Sequence, residues 1–178
     1  MARQLTVAFV VVLAATAADA AQSAGESELE VGGGWLQPIS YGDLAGWATG
    51  PSIDLAWTRW GARHGLAMGF SSIFETGGEL PGGPPTRHLY WNVTWRRRWM
   101  NADGRGYLHF GAGFGPLLWQ PQTGYRRNDR VGTPYWHIEL MGTRTLREGL
   151  DLRVGASTTP WLIFPLTVHP TVRAVWKF

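Results

Sequence analysis

Cysteine is absent from the 178 residues, which excludes a disulfide framework and a thiolate metal site and leaves a fold without covalent staples. Lysine occurs once, as Lys177. No segment is continuously apolar over the roughly 20 residues a membrane-spanning helix needs; the nearest stretch, Leu5 to Ala18, falls short. Helical periodicity is missing throughout. Also missing are a phosphate-cradling glycine loop ending in lysine, a Gly-x-Ser-x-Gly elbow and a His-Glu-x-x-His pair, so the common motif routes to an enzyme are closed. The histidines are not spaced as metal ligands, and neither a metal nor a cofactor is expected. A net charge of +3 is too small to argue for a nucleic-acid partner.

Eleven tryptophans and 24 glycines are unusual for a soluble domain and suit strands that end in interfacial aromatic belts. Met1 to Ala20 opens with Arg3, runs through the apolar stretch and ends in Ala18-Asp19-Ala20, a small-x-small site. It is expected to be a signal peptide that exports the chain. A short polar segment, 21–27, follows, and residues 28–178 are expected to form one domain.

That domain reads as two-faced strands of period two. In His88 to Met100, Leu89, Trp91, Val93, Trp95 and Trp99 share one face, while Tyr90, Asn92, Thr94, Arg96 and Arg98 share the other. The pattern recurs in Ser52 to Thr58, Tyr107 to Gly115, Tyr135 to Thr143 and Leu150 to Thr158. The last strand sets Val172, Ala174, Trp176 and Phe178 against Thr171, Arg173, Val175 and Lys177. The Pro/Gly-rich connections Pro38–Pro51, Glu75–Arg87, Gln120–Pro134 and Pro160–Thr167 are long, and those near Gly61, Asp103 and Glu148 are tight. Long external loops alternating with short periplasmic turns predict an all-β fold: an eight-stranded antiparallel up-and-down transmembrane β-barrel with both termini periplasmic.

The charged face decides which side meets lipid. Glu28, Glu30, Asp54, Arg96, Arg98, Glu139, Asp151, Arg153, Arg173 and Lys177 lie on it, and a narrow eight-stranded lumen is filled by side chains of this kind. Glu30, Asp54, Arg96, Arg98, Glu139, Arg153 and Arg173 are therefore expected to form a lumen charge network. In it Glu139 would lie near Arg153 and Arg173, and Glu30 near Asp54, Arg173 and Lys177. On the oily face, Arg97 lies between Trp95 and Trp99, where a guanidinium snorkels to lipid phosphate. With Trp176 these residues mark the lipid interface.

The closing sequence Val172-Arg173-Ala174-Val175-Trp176-Lys177-Phe178 resembles the last strand of the small outer-membrane β-barrel families, whose terminal phenylalanine is read by the barrel-insertion machinery. The resemblance implies a bacterial outer-membrane location. It also implies contacts with outer-membrane lipids and lipopolysaccharide, delivery by periplasmic chaperones, and Phe178 as insertion signal. Oligomeric state is left open.

Within those families, Trp91-Asn92-Val93-Thr94-Trp95-Arg96, Gly111-Ala112-Gly113-Phe114-Gly115-Pro116 and Gly149-Leu150-Asp151-Leu152-Arg153 are similar to the lipid A 3-O-deacylases, the acyloxyacyl hydrolase-like barrels. The resemblance implies a His-x-Ser-Asn motif on the penultimate strand, with serine attacking an ester and histidine as its base. Here that motif falls on Ala156-Ser157-Thr158-Thr159, which puts alanine at the histidine position and Thr158 at the nucleophile position. A different catalytic set is present in kind: inward Ser157 between strands carrying His137, Glu139 and His169. A satisfied interior network is the default for such residues. Gly33-Gly34-Trp35 is similar to the Gly-x-Trp opening of lipocalins, which implies a secreted binding barrel with its apolar face turned inward. Arg126, Arg127 and Arg130 would lie on an external loop, where arginine forks suit lipopolysaccharide phosphates.

Overall fold

A computed structural model describes residues 25–38, 50–74, 87–119, 131–159 and 167–178. The leader and the loop arginines Arg126, Arg127 and Arg130 lie outside these residues. Eight strands follow one another: β1 (Ser27–Pro38), β2 (Gly50–Trp60), β3 (His64–Phe74), β4 (Arg87–Met100), β5 (Gly106–Trp119), β6 (Val131–Arg147), β7 (Leu150–Thr158) and β8 (Thr167–Lys177). Each pairs antiparallel with the next, and β1 pairs with β8, so the sheet closes into a barrel. Closure leaves no strand edge with unpaired N–H and C=O groups, a condition for crossing hydrocarbon with strands.

Residues 61–63, 101–105 and 148–149 make three short turns at the end of the barrel where β1 begins and β8 ends. Gly104 (φ 66°) and Gly149 (φ 73°) take left-handed conformations in two of them, which a side chain disfavours. Segments 39–49, 75–86, 120–130 and 160–166 join strands at the opposite end. β6 runs well past the alternating stretch Tyr135–Thr143, because the backbone ladder with β5 continues from Gly106↔Arg144 to Trp119↔Val131 whatever the side chains.

Parity sorts the side chains as the alternation predicts. Glu28, Glu30, Asp54, Arg96, Glu139, Asp151, Arg153 and Arg173 point inward and are buried. Val31, Ile53, Leu55, Met68, Trp91, Leu140, Val154 and Val172 point outward and are exposed. This overturns the lipocalin expectation: Trp35 is 44% exposed on the outer face, and the interior is charged rather than apolar.

Candidate functional site

Arg96 on β4 reaches across the lumen to two carboxylates. Its Nε donates to Glu139 Oε1 on β6 at 2.6 Å, and its Nη1 donates to Glu30 on β1. Arg153 on β7 meets Glu30 at 2.6 Å and Glu28 at 2.8 Å, donates from Nε to Thr143 Oγ1 at 2.9 Å, and donates to the Tyr107 hydroxyl. Tyr107 in turn donates to Glu28 at 2.7 Å, and Thr58 to Glu30 at 2.8 Å. Arg173 on β8 pairs with Glu30 at 3.1 Å and stands 4.0 Å from Asp54. Glu30 therefore gathers arginines from three strands. Such ions tolerate burial because each charge is paired and hydrogen-bonded.

Toward the mouth with the short turns, Arg98 pairs with Glu26 at 2.7 Å, and Lys177 with Asp151 at 2.7 Å and Glu26 at 3.4 Å. Two expected proximities are corrected. Lys177 meets Glu26 and Asp151 rather than Glu30, and Arg153 meets Glu28 and Glu30 rather than Glu139. Glu30 and Asp54 are joined through Arg173. The cause is the stagger between strands, which sets the levels at which long side chains meet across the lumen.

Glu28, already on the charged face, joins the network, and so do Tyr107, Thr58, Thr143 and Trp60, which strand parity alone also puts inside. Trp60 is fully buried, edge-on to Tyr107 at 5.7 Å and to His109 at 6.0 Å, with the Arg98 guanidinium 4.7 Å from its ring centre. The inward glycines of β5 make the room. A Cβ on Gly111 would lie 2.7 Å from Glu139 atoms, and one on Gly113 would collide with the His137 ring.

His137, Glu139, Ser157 and His169 line one cavity, but their hydrogen bonds go to other residues. His137 bonds through Nδ1 with the Tyr90 hydroxyl at 2.6 Å and through Nε2 with Thr94 at 3.2 Å. His169 Nε2 lies 2.6 Å from Ser52 Oγ, not bonded to Ser157, its register partner on β7. Glu139, the other register partner of Ser157, is held by Arg96 and His109. Among the described residues Ser157 makes no hydrogen bond to His137, His169 or Glu139. Thr158 points outward between Ile138 and Val168, and its hydroxyl has no hydrogen-bond partner among the described residues. A cavity of about 40 Å³, lined by Asp54, Tyr90, Arg96, His137, Ser157 and His169 among others, is the space left above the ion network. It holds a few waters at most, at roughly 10–15 Å³ for each.

On the outer face Trp95, Arg97, Trp99 and Trp176 all project from the barrel wall. The Arg97 guanidinium lies 5.4 Å from the Trp99 ring centre, and Trp95 stacks on His64 at 5.5 Å. Phe178 exchanges backbone hydrogen bonds with Ser27, 3.0 and 3.1 Å long, so the last residue takes part in closing the barrel.

No protein-family model matches the chain, and no curated protein matches it. Among solved structures it is similar to Neisserial surface protein A, with a TM-score of 0.61 and 10% identity over 88% of this chain and 98% of that one. It is also similar to Yersinia pestis Ail in complex with the heparin analogue sucrose octasulfate (TM-score 0.56, 14% identity, 86% and 99% covered). A third match is the Yersinia pestis outer membrane protein Ail in a phospholipid bilayer nanodisc (TM-score 0.53, 9% identity, 86% and 99% covered). Nothing in these comparisons supports the deacylase resemblance, and the base-less Thr158 agrees with that. The chain has the fold of the small eight-stranded outer-membrane β-barrels.

Proposed function

We propose that this chain is an exported protein of the bacterial outer membrane, a non-porin barrel whose role lies in envelope structure or in contacts at its surface with lipids. One observation carries the reading: a closed eight-stranded sheet with an apolar, tryptophan-rich outer face and a lumen filled by paired charges. The outer face suits acyl chains, and at the level of Arg96 the lumen is occupied by ion-paired side chains from β1, β4, β6 and β8. Residues 1–20 act as the cleaved leader, and Phe178 as the determinant read by the insertion machinery after chaperone delivery. Ail was crystallised with a sulfated sugar; Arg126, Arg127 and Arg130 make lipopolysaccharide phosphate the anion to test here.

The test is gel mobility of the outer-membrane fraction with and without boiling, together with planar-bilayer conductance. A mobility shift on heating, with no stable open channel, supports the proposal. A soluble periplasmic product or a steady large conductance defeats it. Deletion of Phe178 is expected to lower the amount of heat-modifiable barrel; wild-type yield from the deletion would remove its role as signal.

A further inference from the structure

We infer that the β3–β4 face carries a binding site for one anionic phospholipid of the periplasmic leaflet, with its phosphate at Arg63, His64 and Arg97 and an acyl chain in the groove above them. The inference deepens the membrane-barrel reading and rests on it.

The cationic part is set by register. His64 and Arg97 are cross-strand partners on the outward face at the periplasmic end, and Arg63 is exposed in the adjoining turn. The Arg98 amide donates to the Arg63 carbonyl at 2.8 Å, which fastens that turn beside Arg97. Among the other cations at this end, Arg59 bonds to Ser27 at 2.8 Å and Arg144 pairs with Asp103 at 3.0 Å. Arg63, Arg97 and the His64 ring have no ion pair or side-chain hydrogen bond among the described residues. His64 Nδ1 is buried without a partner, which leaves Nε2 as the ring edge open to a phosphate. Trp95 and Trp99 wall the spot, in the manner of headgroup-level aromatics.

The apolar part lies up the same two strands. One register step on, Leu66 faces Trp95; at the next, Met68 faces Val93, about 13 Å from the cations at roughly 3.3 Å per residue. There a groove opens, lined by Trp57, Met68, Phe70, Trp91, Val93 and Phe114. Its volume of about 340 Å³ is within the roughly 300–1,000 Å³ range of ligand sites. Phe70 and Trp91 meet edge to face at 4.8 Å and fix its upper wall. A basic foot under an apolar groove complements a lipid with a phosphate head. It suits a zwitterionic lipid less well, because that headgroup adds a cation beside the same arginines, and a second copy of this chain would bring those arginines face to face.

The full-length barrel, purified in detergent and stripped of lipid, is offered phosphatidylglycerol and phosphatidylethanolamine of equal chain length, and bound lipid is read by native mass spectrometry. Wild type is expected to retain phosphatidylglycerol preferentially, and retention to fall about fivefold for each arginine removed in Arg97→Gln and Arg63→Gln. Met68→Trp fills the groove and is expected to lower retention of both lipids while keeping the headgroup preference. Equal retention in the arginine variants, displacement of the lipid by inorganic phosphate, or a lipid-free dimer each overturns the site. Heat-modifiable mobility of the same samples is read separately: its loss in wild type counts against the membrane barrel itself, whereas its persistence with no lipid preference counts only against the site.

Discussion

Arg96 and Arg97 are adjacent in the chain, carry the same side chain and serve opposite environments. Arg96 points into the lumen, is 2% exposed and links Glu30 to Glu139; Arg97 points out, is exposed, and touches a tryptophan ring but no carboxylate among the described residues. A strand turns successive residues to opposite faces, so one step along the chain exchanges a buried, ion-paired interior for the apolar outer face. The cost of change should follow the face rather than the residue type, and substitutions graded across the two faces test this.

The largest effect is expected at Arg96→Leu, which leaves Glu139 with only His109 and strips one cation from Glu30; loss of a buried partner costs about 3–5 kcal/mol. Urea unfolding in detergent micelles, followed by tryptophan fluorescence, measures it, and a loss below about 1 kcal/mol would mean the network is not what holds the lumen. Met68→Arg places a charge midway along the outer face of β3 and should cost about 2–4 kcal/mol in lipid vesicles, with little change in lumen properties. Gly113→Ala, whose added methyl meets the His137 ring, is expected to cost about 1–3 kcal/mol. Ala112→Val, one residue away on the outer face, should stay within about 0.5 kcal/mol; equal effects at 112 and 113 would erase the contrast between faces. Arg97→Leu should change folding stability by about 1 kcal/mol or less, since its guanidinium sits near an interface and not in the ion network.

The smallest effect belongs to the turn between β4 and β5. The Arg105 amide hydrogen bond, followed by the Arg144 and Arg105 charges, lowers the Asp103 carboxyl below its ordinary range. A carboxyl lowered on folding adds stability above its unfolded value and loses it as pH falls through its folded one. Wild type should therefore exceed Asp103→Asn slightly at neutral pH, and the two unfolding curves should converge in acid. A difference that widens as pH falls would reverse the assignment.

The legible and illegible parts of the lumen differ in kind. That Glu30, Asp54, Arg96, Glu139, Arg153 and Arg173 share the interior follows from counting by twos along each strand. Tyr107 falls inside by the same count, and so does Trp60, one step beyond the alternating stretch Ser52 to Thr58. That His169 bonds to Ser52 rather than to Ser157 could not be counted out: Ser52 is on β2, 117 residues away in the chain, and meets β8 over the intervening β1, where Gly34 has no side chain. The same holds for Arg153, whose partner Glu28 comes from β1. On the outer face, the Arg97 and tryptophan grouping was visible within β4 alone, whereas His64 and Arg63 join it only through the β3–β4 register.

By itself, the sequence determined the face of each strand residue, the alternation of long and short connections and the closing strand that ends in Phe178, because these follow from a local period of two and from turn chemistry. Only the tertiary structure decided which charges pair and which histidine meets which hydroxyl. Those outcomes depend on how far neighbouring strands are staggered when the sheet closes, and stagger is a property of the whole ring of eight strands that no single strand carries.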